Sequence, residues 1–121
     1  MGRISYWRGK EQGGRSPVIE REYLGRIYAS KKEANYAAEL ELLKRAGEIE
    51  WWVSQYKVEL QGKGGKKVCD YYVDFKVKYT DGRVEYVEVK GWATELWKLK
   101  KKLFEQQLAV DEPEAKFRII D

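Results

Sequence analysis

Apolar and polar positions follow one another along this chain in two rhythms. In "SKKEANYAAELELLKRAG" (30–47), Tyr36, Ala37, Leu40 and Leu43 recur at short steps. That spacing stacks them on one face of an α-helix. Ser30 stands at the N-cap and Gly47 at the stop, residue types that helix ends favour. "TELWKLKKKLFEQQL" (94–108) reads as a second helix, with Leu96, Leu99 and Leu103 expected to face inward and Lys98, Lys101, Lys102 and Glu105 outward. Between the helices the period drops to two. "EIEWWVSQYKVEL" (48–60), "VCDYYVDFKVKYT" (68–80) and "RVEYVEVK" (83–90) read as strands. "QGKGGKK" (61–67) links the first two, and Asp81-Gly82 turns the chain between the last two. "VIEREYLGRIYA" (18–29) predicts a short hairpin around Gly25, and "AKFRIID" (115–121) a final strand after Pro113. The expected fold is α/β: a single domain in the order α-β-β-β-α-β, with a central mixed sheet flanked by helices.

Composition narrows the chemistry. A chain of 121 residues is the size of one domain. Residues 1–16 are polar and glycine-rich and are expected to form a flexible basic arm before a domain at 17–121. The net charge of +4 is clustered: Arg3, Arg8, Lys10 and Arg15 lie in the arm, Lys63, Lys66 and Lys67 in the glycine-rich loop, and Lys98, Lys101 and Lys102 in the second helix. Clustered cations suit a polyanion, although each cluster alone also reads as a solvated face. The single cysteine, Cys69, excludes an intrachain disulfide. No run approaches the about 18 apolar residues of a membrane span, and the N-terminus lacks the apolar core of a signal peptide. An intracellular protein with no membrane partner is expected. The chain has no histidine, so catalysis by a histidine base, a Ser-His-Asp triad or a histidine-ligated zinc is excluded. Carboxylates, lysine, tyrosine and hard metal ions remain.

Strand alternation then selects particular side chains. Glu88 and Lys90 share one face, and Val87 and Val89 take the other. Asp74 lies on the preceding strand, among Val73, Phe75 and Val77, and is expected to share its face with Tyr72 and Lys76. A two-residue turn at Asp81-Gly82 would set Asp74 against Val89. A three-residue loop, Thr80-Asp81-Gly82, pairs Tyr79 with Arg83 and sets Asp74 opposite Glu88. Only the longer loop buries Phe75, Val77, Val87 and Val89 together. Opposed strand residues have Cβ atoms about 4.5–5.5 Å apart, and two carboxylates that close repel unless a hard cation lies between them. Glu33 is a third candidate. It completes a capping box with Ser30, yet it also falls on the face of Tyr36, Ala37 and Leu40, so a cap and a site role both remain open. Gln55 and Tyr72 are candidate neighbours. The adjacent Trp51 and Trp52 cannot both face the core, and an outward tryptophan beside Tyr56 suggests a subunit interface or a base-stacking platform.

Asp74 followed fourteen residues on by Glu88-Val89-Lys90, with an acid at the start of a preceding helix and the order αβββαβ, resembles the PD-(D/E)XK nuclease superfamily. More narrowly, the pattern is similar to the small phage and archaeal Holliday junction resolvases, and to small phage proteins carrying "SKKEA", "DF", "EVKG" and "LKKKLFE" in this order. The resemblance spans residues 30 to about 105. Val73 stands where the family name has proline, a position that varies across the superfamily. Glu39 is the other helix acid and falls on the more exposed side. The resemblance implies a restriction-endonuclease-like core and Mg²⁺-dependent hydrolysis of DNA phosphodiesters, with Mn²⁺ as a substitute. It implies that Asp74, Glu88 and the Val89 carbonyl hold the metal, that Glu33 assists through water or a second ion, and that Lys90 orients the attacking water and steadies phosphate charge. The lysine and arginine clusters would then bind DNA, with a four-way junction as substrate and a homodimer making two symmetric cuts. A nickase, a restriction-like enzyme, a transposase-type end-cutting subunit and a non-catalytic DNA-binding module are the alternatives.

Overall fold

The computed structural model describes residues 17–91 and 93–121. The elements run α1 (Val18–Arg21), β1 (Glu22–Tyr23), β2 (Arg26–Ile27), α2 (Lys31–Arg45), β3 (Ile49–Gln61), a 3-10 turn (Lys63–Gly65), β4 (Lys67–Tyr79), β5 (Val84–Val89), α3 (Glu95–Asp111) and β6 (Lys116–Ile120). The main sheet has the order β3-β4-β5-β6. Its first three strands are antiparallel neighbours, and β6 runs parallel to β5. The fold is therefore a mixed α/β domain with the predicted αβββαβ order. The region expected to be a plain hairpin starts instead with the short α1, and the hairpin that follows turns at Leu24-Gly25.

Both main helices begin at the expected caps. Ser30 Oγ accepts from the Glu33 amide and Thr94 Oγ1 from the Trp97 amide, each at 3.0 Å, satisfying amides that have no partner within the helix. Helix α2 buries Glu33, Ala34, Tyr36, Ala37 and Leu40 against Phe75, Val77, Val87 and Val89 on one face of the sheet. Helix α3 covers the other face. It buries Phe104 and Leu108 among Leu60, Tyr71, Val73 and Tyr86.

The inward face of α3 is a correction. Leu96, Leu99 and Leu103 were expected to face the core, but they are 62%, 55% and 36% exposed. The buried stripe is Phe104 and Leu108, with Trp97 packed against them. Both stripes have helical spacing, and the aromatic one wins because Phe104 reaches three rings: Tyr71, Tyr86 and Phe117 lie with centroids 5.2–5.3 Å away.

The β4–β5 register follows the longer loop. The Tyr79 amide donates to the Arg83 carbonyl at 2.9 Å, and Gly82 takes a φ of +99°. Phe75 pairs with Val87 and Val77 with Glu85, which extrapolates to Asp74 opposite Glu88.

Simple alternation fails in the middle of both β3 and β4. Trp52 meets Phe75 on the α2 side, with ring centroids 6.0 Å apart. Four residues along, Tyr56 meets Tyr86 on the α3 side, also at 6.0 Å. In β4, Phe75 and Val77 belong to the α2-side core, whereas Tyr71 and Val73 belong to the α3-side core. Ser54↔Phe75 and Tyr56↔Val73 keep one register throughout. Both strands thus change faces between these pairs, at Gln55 and Asp74. Gln55 has a φ of 53°.

Candidate active site

The sheet forks where the faces change. Strand β4 pairs with β5 from Lys78↔Val84 to Phe75↔Val87. Beyond that, β4 continues along β3, while Glu88 and Val89 pair with Ile119 and Ile120 of β6. Asp74 and Glu88 flank the crotch of the fork. Each carboxylate bonds to the other strand's backbone: the Asp74 amide donates to Glu88 Oε1 at 3.1 Å, and the Val89 amide donates to Asp74 Oδ2 at 2.9 Å. The two predicted acids are therefore brought together.

Three further side chains reach this pair. Gln55 Nε2 donates to Asp74 Oδ1 at 3.0 Å. Trp97 Nε1, from the first turn of α3, donates to Glu88 Oε2 at 3.2 Å. The Tyr71 hydroxyl is buried beside Glu88. Tyr71, not Tyr72, turns toward the acids; Tyr72 is half exposed. The face change explains the swap, because it carries the odd-numbered side chains of β4 to the α3 side below Asp74. Trp97 was legible as a surplus tryptophan suited to a subunit interface and not as a partner of the acids, and Tyr71 gave no signal beyond its place two residues from Val73.

Burial, and then the nearby Asp74, push the Glu88 carboxyl up from 4.5 to about 7. The hydrogen bonds from Trp97 and from the Asp74 amide work the other way but do not cancel this. Burial and the Glu88 charge likewise push the Tyr71 hydroxyl far up, so it stays a neutral donor. Such a pair of oxygen-donor carboxylates, one of them strained as an anion, fits a hard divalent cation. Among the described residues no three acids or cysteines stand close enough to share one ion.

The remaining predicted residues are more dispersed. Glu33 is buried at the start of α2, 6% exposed, and its amide is capped by Ser30; it does not close a cluster of three with Asp74 and Glu88. Glu39 is exposed on the same helix. Lys90 is exposed, with Nζ 3.6 Å from Asp121. It lines an open cleft of about 850 Å³ together with Trp97, Lys98, Lys101 and Lys102. Lys98 also pairs with Glu95 at 3.1 Å and Lys101 with Glu105 at 3.3 Å. Trp97 joins this cleft to the acid pair, since its indole nitrogen bonds to Glu88. Lys63, Lys66 and Lys67 lie at the far end of the β3–β4 hairpin, roughly 20 Å along the strand from Asp74 at 3.3 Å per residue, and Lys67 pairs with Asp70 at 3.0 Å. Arg3, Arg8, Lys10 and Arg15, the expected arm at 1–16, and Trp92 lie outside the described residues. Trp51 is the outward tryptophan, 37% exposed, while Trp52 packs into the α2-side core and bonds to Glu41.

Residues 20–118 match a family described as "Protein of unknown function (DUF1064)". The chain belongs to this family. Comparison with curated proteins and with solved structures finds no match. The family match covers α2, β3 to β5, α3 and the first three residues of β6, so the acid pair and the lysines of the cleft lie within the matched region. No helix among the described residues is long and apolar enough to cross a membrane.

Proposed function

We propose that this DUF1064 chain is a metal-dependent DNA endonuclease of the PD-(D/E)XK kind, acting inside the cell. The observation that carries the reading is the meeting of Asp74 and Glu88 across the sheet fork, with Lys90 two residues on at the mouth of a lysine-lined cleft. Asp74, Glu88 and the Val89 carbonyl would hold Mg²⁺, or Mn²⁺ in its place, and Glu33 would assist through water. When bound, such an ion polarises a phosphoryl oxygen and lowers the pKa of water. The chain's own residues do the rest. Trp97 and the Asp74 amide fix the Glu88 carboxylate, while Gln55 and the Val89 amide fix Asp74. Lys90 offers an exposed cation to an incoming phosphate and to the water that attacks it. Lys98, Lys101 and Lys102 hold the backbone of the strand, which positions DNA without reading its sequence.

Within that class a Holliday junction resolvase is the preferred reading. Two symmetric cuts call for two sites related by a two-fold axis, which a homodimer supplies. The outward stripe of Leu96, Leu99, Leu103 and Val110 on α3 supports a second copy of this chain as partner, alongside the outward Trp51. A nickase, a restriction-like or transposase-type subunit, and a non-catalytic DNA-binding module are the competing readings. Incubation with a four-way junction, a duplex and a single strand, in Mg²⁺ or EDTA, separates them. Junction cutting that requires Mg²⁺ and disappears in Asp74→Asn, with junction binding retained, is the expected result. Binding without cutting on every substrate would leave the non-catalytic module.

A further inference from the structure

We propose that Gln55 is a positioning residue of this site, held in a strained backbone conformation so that its side-chain amide fixes Asp74. The inference rests on the nuclease reading above. Gln55 lies near the middle of β3, where extended backbone is the rule, yet its φ is 53°. Residues with a Cβ enter the left-handed region at a cost, and strain of this kind persists only where the surroundings over-determine it. The surroundings here are the two flanking pairs, Ser54↔Phe75 and Tyr56↔Val73, which hold Gln55 opposite Asp74.

The backbone need and the side-chain need can be told apart. The left-handed turn lets β3 and β4 change faces together and turns Asp74 toward the fork. Glycine would serve that backbone without strain. Glutamine serves it badly, so its presence calls for a role for the side chain. The structure supplies one: Nε2 donates to Asp74 Oδ1 at 3.0 Å. The reverse amide orientation would set oxygen against a carboxylate, so chemistry fixes the donor assignment. Asp74 Oδ2 is taken by the Val89 amide. With β3 holding one oxygen and β5 the other, the Asp74 carboxylate has a single orientation across the fork. Partners that orient a metal-binding carboxylate usually raise its affinity for the ion by 10–100-fold.

Two variants separate the roles. Gln55→Gly keeps the backbone conformation and relieves the strain but loses the donor. Gln55→Met keeps the length and the strain and also loses the donor. Binding of Mn²⁺ alone, by calorimetry, and thermal unfolding without metal are measured for both. Both variants should bind Mn²⁺ about tenfold more weakly or worse. Gln55→Gly should match the parent Tm or exceed it by up to about 5 °C. Parent-like Mn²⁺ affinity in both variants would overturn the assignment. So would a clear drop in the Tm of Gln55→Gly, which would mark the glutamine as a structural prop. Asp74→Asn, run beside them, separates two failures. Unchanged Mn²⁺ affinity in Asp74→Asn sinks the nuclease reading itself. Lost affinity there, with parent-like affinity in both Gln55 variants, sinks only the Gln55 assignment.

Discussion

Replacing Glu88 by glutamine should remove a specific dependence of stability on pH. Glu88 is 5% exposed, and burial and Asp74 raise its carboxyl from 4.5 to about 7. The native state therefore holds this proton more tightly than the unfolded chain does. Its contribution to stability is complete below the unfolded value of 4.5 and is lost as pH rises through about 7. At about 1.4 kcal/mol per pH unit, the loss amounts to roughly 3 kcal/mol across that window, or a Tm difference of roughly 10 °C for a chain of this size. Glutamine keeps the side-chain oxygen that accepts from the Asp74 amide and never ionises. In EDTA, the Tm of the parent should fall relative to that of Glu88→Gln between about pH 5 and pH 8. Saturating Mg²⁺ should restore most of the deficit in the parent near pH 8, where the carboxylate is charged, and little of it near pH 5, because anything that binds only the native state stabilises it. Parallel Tm curves for the two proteins in EDTA would refute the electrostatic account. Equal stabilisation of both proteins by Mg²⁺ would place the ion elsewhere.

Glu33→Gln separates a cap from a site role, since glutamine also completes a capping box: Tm should hold while Mg²⁺-dependent cleavage falls by tenfold or more, of order 1.4 kcal/mol in barrier, and unchanged cleavage would return Glu33 to the cap. Leu99→Asp combined with Leu103→Asp should leave the fold intact, because both positions are partly exposed, and should convert a dimer to a monomer in light scattering; an unchanged mass would move the interface off α3.

The parts of the fold that follow from one repeating rule were legible. The helices and strands came from their periods, and the Asp74–Glu88 register came from asking which loop length buries Phe75, Val77, Val87 and Val89 together. Burial of Glu33 was legible for the same reason, as one more position on the α2 stripe. What was not legible depends on competition or on a break in the rule. Helix α3 carries two apolar stripes, Leu96-Leu99-Leu103 and Trp97-Phe104-Leu108, and nothing in their spacing says which one meets the sheet. Aromatic partners on β4, β5 and β6 decide it. Tyr71 and Tyr72 exchanged roles because β4 changes faces, while its apolar residues keep a steady two-residue step through Tyr71, Val73, Phe75 and Val77. The lysines of the 61–67 loop read like those of α3 in the sequence, but the length of the hairpin carries them away from the acids.

The break in the sheet and the candidate site have one physical origin. An uninterrupted β4–β5 ladder would satisfy its backbone amides with carbonyls and leave none for the Asp74 and Glu88 carboxylates to accept from. Where the strands part, buried amides need other acceptors, since an unmet buried donor costs about 1–3 kcal/mol. The Asp74 and Val89 amides find them in the carboxylates of Glu88 and Asp74. Each acid is thus drawn inward to repair a defect that its own position helps to define, and two negative groups are held close despite their repulsion. The indole of Trp97 closes one side and the amide of Gln55 the other. The donors around the pair are neutral wherever a described partner is resolved, so they orient the charge without cancelling it. On the proposed reading such a site would suit a cation, because the Gln55 and Val89 donors hold Asp74 in one orientation without neutralising it.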